Sequence, residues 1–145
     1  ATSDVAVSDA GTCPMIANVA TPITDTFVTT TVPVGTGGAI SDGTYTITSI
    51  TGYAGTDTTA KMHTYTAKIT GTVMALTGHD NTAADGSAGF TLTANTTTGA
   101  ASIIGFCPAG NVGANLGNID SYTASASAIH FYSSSHRNEV VFTKQ

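Results

Sequence analysis

Four histidines, His63, His79, His130 and His136, are the residues of this sequence best suited by type to hold a metal or move a proton. Zinc sites draw their ligands from close spacings, and no two of these histidines stand two apart, as one face of a strand would require. The spacing predicts no metal site, and His130, inside an alternating segment, reads as a structural histidine of a buried strand. The two cysteines, Cys13 and Cys107, lack the CxxC spacing of a metal or redox pair. They fit one disulfide in an oxidising compartment, with two buried free thiols as the other reading.

Nucleophilic catalysis needs a serine presented beside a base, and residues 85–89, Asp-Gly-Ser-Ala-Gly, have their glycines misplaced for a GxSxG elbow. Residues 35–38, Gly-Thr-Gly-Gly, lack the lysine and the helix of a phosphate-binding loop. Asp80, Asn81 and Asp85 offer oxygens of the kind calcium takes, but they miss the spacing of a calcium loop and no glutamate follows, so they read as an Asx-stabilised turn. The eight aspartates are scattered over loops, mostly beside Gly or Thr, where they serve turn geometry. Glu139 reads as a surface partner of Arg137, worth little to stability. Asn95-Thr96-Thr97 is an N-glycosylation sequon on an expected turn, and the threonine runs at 29–31, 58–59 and 96–98 are candidate O-glycan positions. No catalytic residue and no cofactor is expected, and the chain reads as a non-enzyme.

Whatever site exists must be carried by a scaffold with little charge. Charged residues make up 9% of the 145 positions and the net charge is -5, where an ordinary soluble domain carries about 25% charged residues. Four Lys and Arg cannot build the basic surface that nucleic acid requires. No apolar run approaches the roughly 20 residues of a spanning helix, so the chain does not read as membrane-embedded. A hydrophobic fraction of 41% is enough for a core, and the length suits one domain. Threonine fills 29 positions, while helix formers are scarce, with one Glu and three Lys. β-branched side chains favour extended backbone and the hydroxyl keeps an outer face wet without charge, so the composition predicts an all-β fold. The chain begins with Ala1, which reads as a mature product whose targeting signal has been removed, and hence as secreted, extracellular or cell-surface.

Along the chain, residues 1–36 differ in pattern from the remainder. Val5 and Val7 alternate with polar neighbours, residues 27–34 alternate again until Pro33 confines them to a sheet edge, and residues 35–38 read as a flexible break. From residue 39 a meander of period-2 segments is expected. Its strands are placed near 44–53, 61–70, 72–77, around Phe90 to Ala94, at 101–107, at 121–132 and at 139–143, with polar loops at 78–86 and 108–118. Tyr45, Ile47, Tyr65, Ala67, Ile69, Phe90, Leu92 and Tyr122 are expected to point inward, and 101–107 to be buried on both faces. The predicted fold is an antiparallel β-sandwich or flattened β-barrel of about 7–9 strands (residues 37–145) behind an N-terminal extension (residues 1–36).

The segment Gly37-Gly38-Ala39-Ile40-Ser41-Asp42-Gly43-Thr44-Tyr45, the Cys13-Pro14 and Cys107-Pro108 pairs, and the ending Val140-Val141-Phe142-Thr143-Lys144-Gln145 resemble small secreted or lipid-anchored bacterial domains of lipocalin-like type. The resemblance covers about residues 37–145 and implies a barrel, with no catalytic residues attached. In composition alone, rich in Thr, Ala and Gly and poor in Lys, the chain is similar to subunits of bacterial surface pili, which implies assembly by an N-terminal strand.

Two functions are expected from these readings. The first is a structural subunit that assembles with copies of itself into a pilus-like extracellular fibre, with Asp4, Val5, Ala6, Val7 and Ser8 adding a strand to a neighbour. The alternative is a lipocalin-like barrel holding a small apolar ligand against Tyr45, Tyr65, Phe90 and Tyr122.

Overall fold

Successive side chains of a strand point to opposite faces, so a sequence that alternates apolar with hydroxyl residues makes strands with one dry and one wet side. The computed structural model describes residues 13–145. The expected assembly residues Asp4, Val5, Ala6, Val7 and Ser8 lie outside the described residues. Two short strands, β1 (Ile23–Thr24) and β2 (Thr26–Phe27), precede the eight of the body. These are β3 (Gly43–Gly52), β4 (Met62–Thr70), β5 (Val73–Asp80), β6 (Gly86–Ala94), β7 (Ala101–Cys107), β8 (Ser121–Ala124), β9 (Ala128–Ser133) and β10 (Asn138–Lys144). Apart from short 3-10 turns at Ala109–Asn111 and Leu116–Asn118, the described residues hold no helix, and none is long and apolar enough to cross a membrane. The fold is all-β.

From β3 to β7, and again from β8 to β10, each strand pairs antiparallel with the next, and β10 returns to pair with β3. The resulting order, β7-β6-β5-β4-β3-β10-β9-β8, curls into a flattened barrel whose seam lies between β7 and β8. The seam is stitched at one end by a bridge between Ala100 and Ser121, with Tyr122 N donating to Gly99 O at 2.8 Å. Farther along, the loop after β7 folds back onto that strand: Gly105 N donates to Ala114 O (2.8 Å) and Gly113 N to Gly105 O (2.9 Å). A second gap opens where β3 and β4 pair only through Gly43–Thr46 and Thr66–Ile69 before diverging. There β1 pairs with β4 and β2 runs parallel to β3, so the N-terminal segment fills the opening.

The glycine-rich stretch expected to be a flexible break is instead a fixed strap along β8. Gly35 N donates to Ser121 Oγ (2.9 Å), Gly37 N to Tyr122 O (2.9 Å), Gly38 N to Thr96 O (3.0 Å), and the Tyr122 hydroxyl to Gly38 O (2.6 Å). Glycine is needed for contact rather than mobility: a Cβ on Gly35 would run into the Tyr122 backbone. Gly35→Ala is therefore expected to cost about 1–3 kcal/mol of overpacking, read by urea unfolding, although alanine usually stiffens an unfolded chain.

Tyr45, Ile47, Ala67, Ile69, Met74, Phe90, Leu92, Ile103, Tyr122, Ile129, Phe131 and Phe142 form one core inside the barrel. Four expectations need correction. Residues 121–132 are two strands, because Ser125 turns the chain: its Oγ accepts from Ala128 N (3.2 Å) and its N donates to Ala128 O (2.9 Å). The polar loop expected at 78–86 shrinks to residues 81–85, since the β5–β6 ladder runs on to Gly78 opposite Gly86. Strand pairing within 27–34 stops at Phe27. In β7 the inner face, Ile103, Gly105 and Cys107, is buried while Ile104 and Phe106 are half-buried, so it is not dry on both sides.

Candidate functional site

The inner faces of β3, β5, β9 and β10 leave a half-open cavity of about 210 Å³. A bulge shapes its wall: Val141 pairs with Ser49 and Phe142 with Ile47, so Thr48 is the extra residue and both Ile47 and Ile50 can line the cavity although they are three apart. Met74 and Leu76 of β5, Phe131 of β9 and Phe142 of β10 complete most of the apolar lining. Its polar residues are His63, Tyr65 and Asp80.

Strand geometry gathers these three. His63 and Tyr65 are two apart on the inner face of β4, and His63 lies directly opposite Asp80 across the β4–β5 ladder. Nδ1 of His63 is 2.7 Å from Asp80 Oδ1, and its Nε2 is 2.7 Å from Asp25 Oδ1, supplied by the turn between β1 and β2. The Tyr65 hydroxyl donates to Asp80 Oδ1 at 3.0 Å. Burial first, and then the hydrogen bond and charge of Asp80, push the Tyr65 phenol well above its ordinary 10.0, so it stays a neutral donor. His63 and Asp25 side chains are 12% exposed, whereas Asp80 is 52% exposed and faces the opening.

The other histidines also find partners. On the outer face, His79 Nδ1 is 2.6 Å from Asp85 Oδ1, which also accepts from Asn18 Nδ2 at 3.0 Å. Asn18 donates as well to Thr64 O (3.1 Å), and Val19 N donates to Thr66 Oγ1 (2.9 Å), so this cluster ties the N-terminal segment to β4. Hydrogen bonds from His79 and then Asn18 hold the Asp85 carboxyl below its ordinary 3.8. A depressed carboxylate contributes its stabilisation above the unfolded value and loses it as pH falls through the folded one. The Val19 amide is thus expected to lose protection, relative to its intrinsic exchange rate, below about pH 4, and Asp85→Asn to flatten that dependence, as hydrogen exchange followed by NMR would show.

His130, expected inside, points outward because Ile129 and Phe131 take the inner positions of β9. Its Nδ1 lies 2.6 Å from Glu139 Oε2, and the Tyr53 hydroxyl donates to Glu139 Oε1 at 3.2 Å. Glu139 therefore does not pair with Arg137, which sits in the preceding turn (φ 54°) and donates to Gly55 O at 2.8 Å. Burial and the neighbouring Glu139 push Tyr132 up to about 12. His136 Nε2 is 3.0 Å from Asn118 Nδ2. Among the described residues no group of three or more His, Cys, Asp or Glu is arranged to hold a metal ion.

Cys13 and Cys107 form a disulfide with their Cα atoms 5.5 Å apart. Asn95 stands in the β6–β7 turn, its Oδ1 accepting from Thr97 N (3.0 Å) and Thr98 N (2.9 Å). Of the four aromatics expected to surround a ligand, Tyr65 lines the cavity, while Tyr45, Phe90 and Tyr122 fill the core elsewhere. Asp25, His63 and Asp80 were not legible as a group: Asp25 and Asp80 looked like turn residues, and the one hint was the His63/Tyr65 spacing on an alternating strand. Asp80 and Asp85, candidates for one turn, face opposite sides of the sheet. No family model, no curated protein and no solved structure matches the chain.

Proposed function

We propose that the protein is a non-enzymatic, secreted barrel that binds one small apolar ligand in the cavity beneath His63, Tyr65 and Asp80. The observation that carries this reading is the cavity itself, about 210 Å³ and walled by Ile, Leu, Met and Phe within an eight-stranded body. Barrels of this size either pack their interior or keep room for one small ligand. A dry cavity of about 150 Å³ already accepts a molecule the size of benzene. The Cys13–Cys107 bridge suits the oxidising conditions outside a cell.

Fibre assembly by strand addition draws less support from the fold. Such assembly needs an unpaired edge. The exposed sides of β7 and β8 are met by residues 113–115 and 35–38 of the same chain. The cavity is thus the better guide.

Titration with ethylbenzene, followed through the methyl NMR signals of Met74, Leu76 and Ile103, is expected to give saturable shifts. Val140→Phe, which fills the cavity from β10, is expected to abolish them while the fold persists. A flat titration of the native protein would overturn the proposal.

A further inference from the structure

The mouth of the cavity carries a charge that its walls do not answer. Asp25 has both carboxylate oxygens engaged, Oδ1 with His63 and Oδ2 accepting from Lys61 N at 3.1 Å. Asp80 takes His63 and Tyr65 on Oδ1 alone, and among the described residues its Oδ2 has no hydrogen-bond partner. Asp25 and Asp80 set two carboxylates against a single imidazole, so the group offers more negative charge than one ring can answer. None of the four Lys and Arg lines the cavity. Lys144 is spent on Ser41 Oγ (3.0 Å) and Arg137 on Gly55 O (2.8 Å), and Lys68 stands on the outer face of β4, out of step with His63 and Tyr65.

We propose that the ligand is a small apolar amine, its hydrocarbon part among Ile47, Leu76 and Phe131 and its ammonium group on Oδ2 of Asp80. This rests on the ligand-binding reading above and adds the chemical class. A carboxylate at the rim of an apolar hole rewards a cation that can leave its charge in the half-wet mouth while burying its carbon. It penalises an anion of the same shape. The contacts of His63 and Tyr65, both made to Oδ1, fix Asp80 in place, so the amine need not order its partner on arrival.

Benzylamine, ethylbenzene and phenylacetate share a benzyl group and differ in charge, and NMR titration of the intact disulfide-bonded protein with each tests the assignment. Benzylamine is expected to bind at least about tenfold more tightly than ethylbenzene, with phenylacetate weakest, as one charge-assisted hydrogen bond implies. Asp80→Asn is expected to bring the ratio of benzylamine to ethylbenzene affinity down to about one, because the neutral amide offers the ammonium group no ionic contact. Should that variant fail to fold, Asp25→Asn, which removes charge from behind His63, is expected to weaken benzylamine by about threefold. Equal binding of benzylamine and ethylbenzene, or undiminished benzylamine binding in Asp80→Asn, overturns the amine assignment and leaves the cavity reading standing. Binding of none of the three overturns both.

Discussion

Replacing Cys13 and Cys107 together by alanine is expected to lower the free energy of unfolding by about 4–5 kcal/mol, which would leave a domain of ordinary stability close to its threshold. The bridge spans 94 positions, so its removal returns to the unfolded chain the freedom of a very long loop. Cys107 is fully buried at the end of β7, while Cys13 begins the segment that goes on to contact β4 through Asn18 and His63 through Asp25. The loss should therefore be felt first at the N-terminal segment. Urea unfolding of the double variant, with amide exchange at Val19 as a local probe, checks both parts. A loss below about 1 kcal/mol would mean that hydrogen bonds alone hold the segment in place.

Phe131→Ala is expected to cost about 3–5 kcal/mol, the second large effect. Its ring is 2% exposed, meets Phe142 edge-on at 6.3 Å and 74°, and forms part of the cavity wall. Truncation removes that contact and enlarges the hole by most of a ring, which a strapped barrel cannot close by collapse. The variant should then be rescued in part by apolar molecules larger than ethylbenzene, because binding to the folded state alone raises the unfolding free energy. Thermal unfolding with and without butylbenzene reads this out. A stability loss under about 1 kcal/mol would show that the wall relaxes inward and that the cavity is not a fixed feature.

Much of the barrel was legible from alternation, and the limits of that legibility have physical causes. The inward set Tyr45, Ile47, Ala67, Ile69, Phe90 and Leu92 comes directly from period-2 alternation, whereas the strand at 101–107 shows through its continuous apolar run, which hides that only alternate residues are buried. The hairpin at Ser125 did not show because its turn is made by a serine hydroxyl rather than by Gly, Asn or Pro, and alternation of alanines ran unbroken through it. The glycine strap misled for the opposite reason, since residues that permit flexibility also permit close packing, and only the presence of Tyr122 across the gap decides between the two. The mouth was hidden because its parts come from Asp25, His63 and Asp80, spread over 55 positions, and an aspartate at a turn looks the same whether it caps backbone or grips a ring.

The way residues 13–38 lie across β4 and β8 also bears on how the chain reaches this shape. Gly35 and Thr36 meet Ser121 and Thr123 across separations of 86 and 87 positions, and Asn18 reaches Asp85 across 67. During synthesis this stretch leaves the ribosome before its sites exist: residues 18–25 need β4 and the turn before β6, and residues 35–38 need β8, near the end of the chain. Contacts so distant in sequence pay their loop-closure cost before they return anything, which places the protein among slow folders. While it waits, the openings beside β4 and β8 are the surfaces most able to capture the same stretch from another copy. Early formation of the Cys13–Cys107 bond would shorten that interval by holding residue 13 near its own barrel.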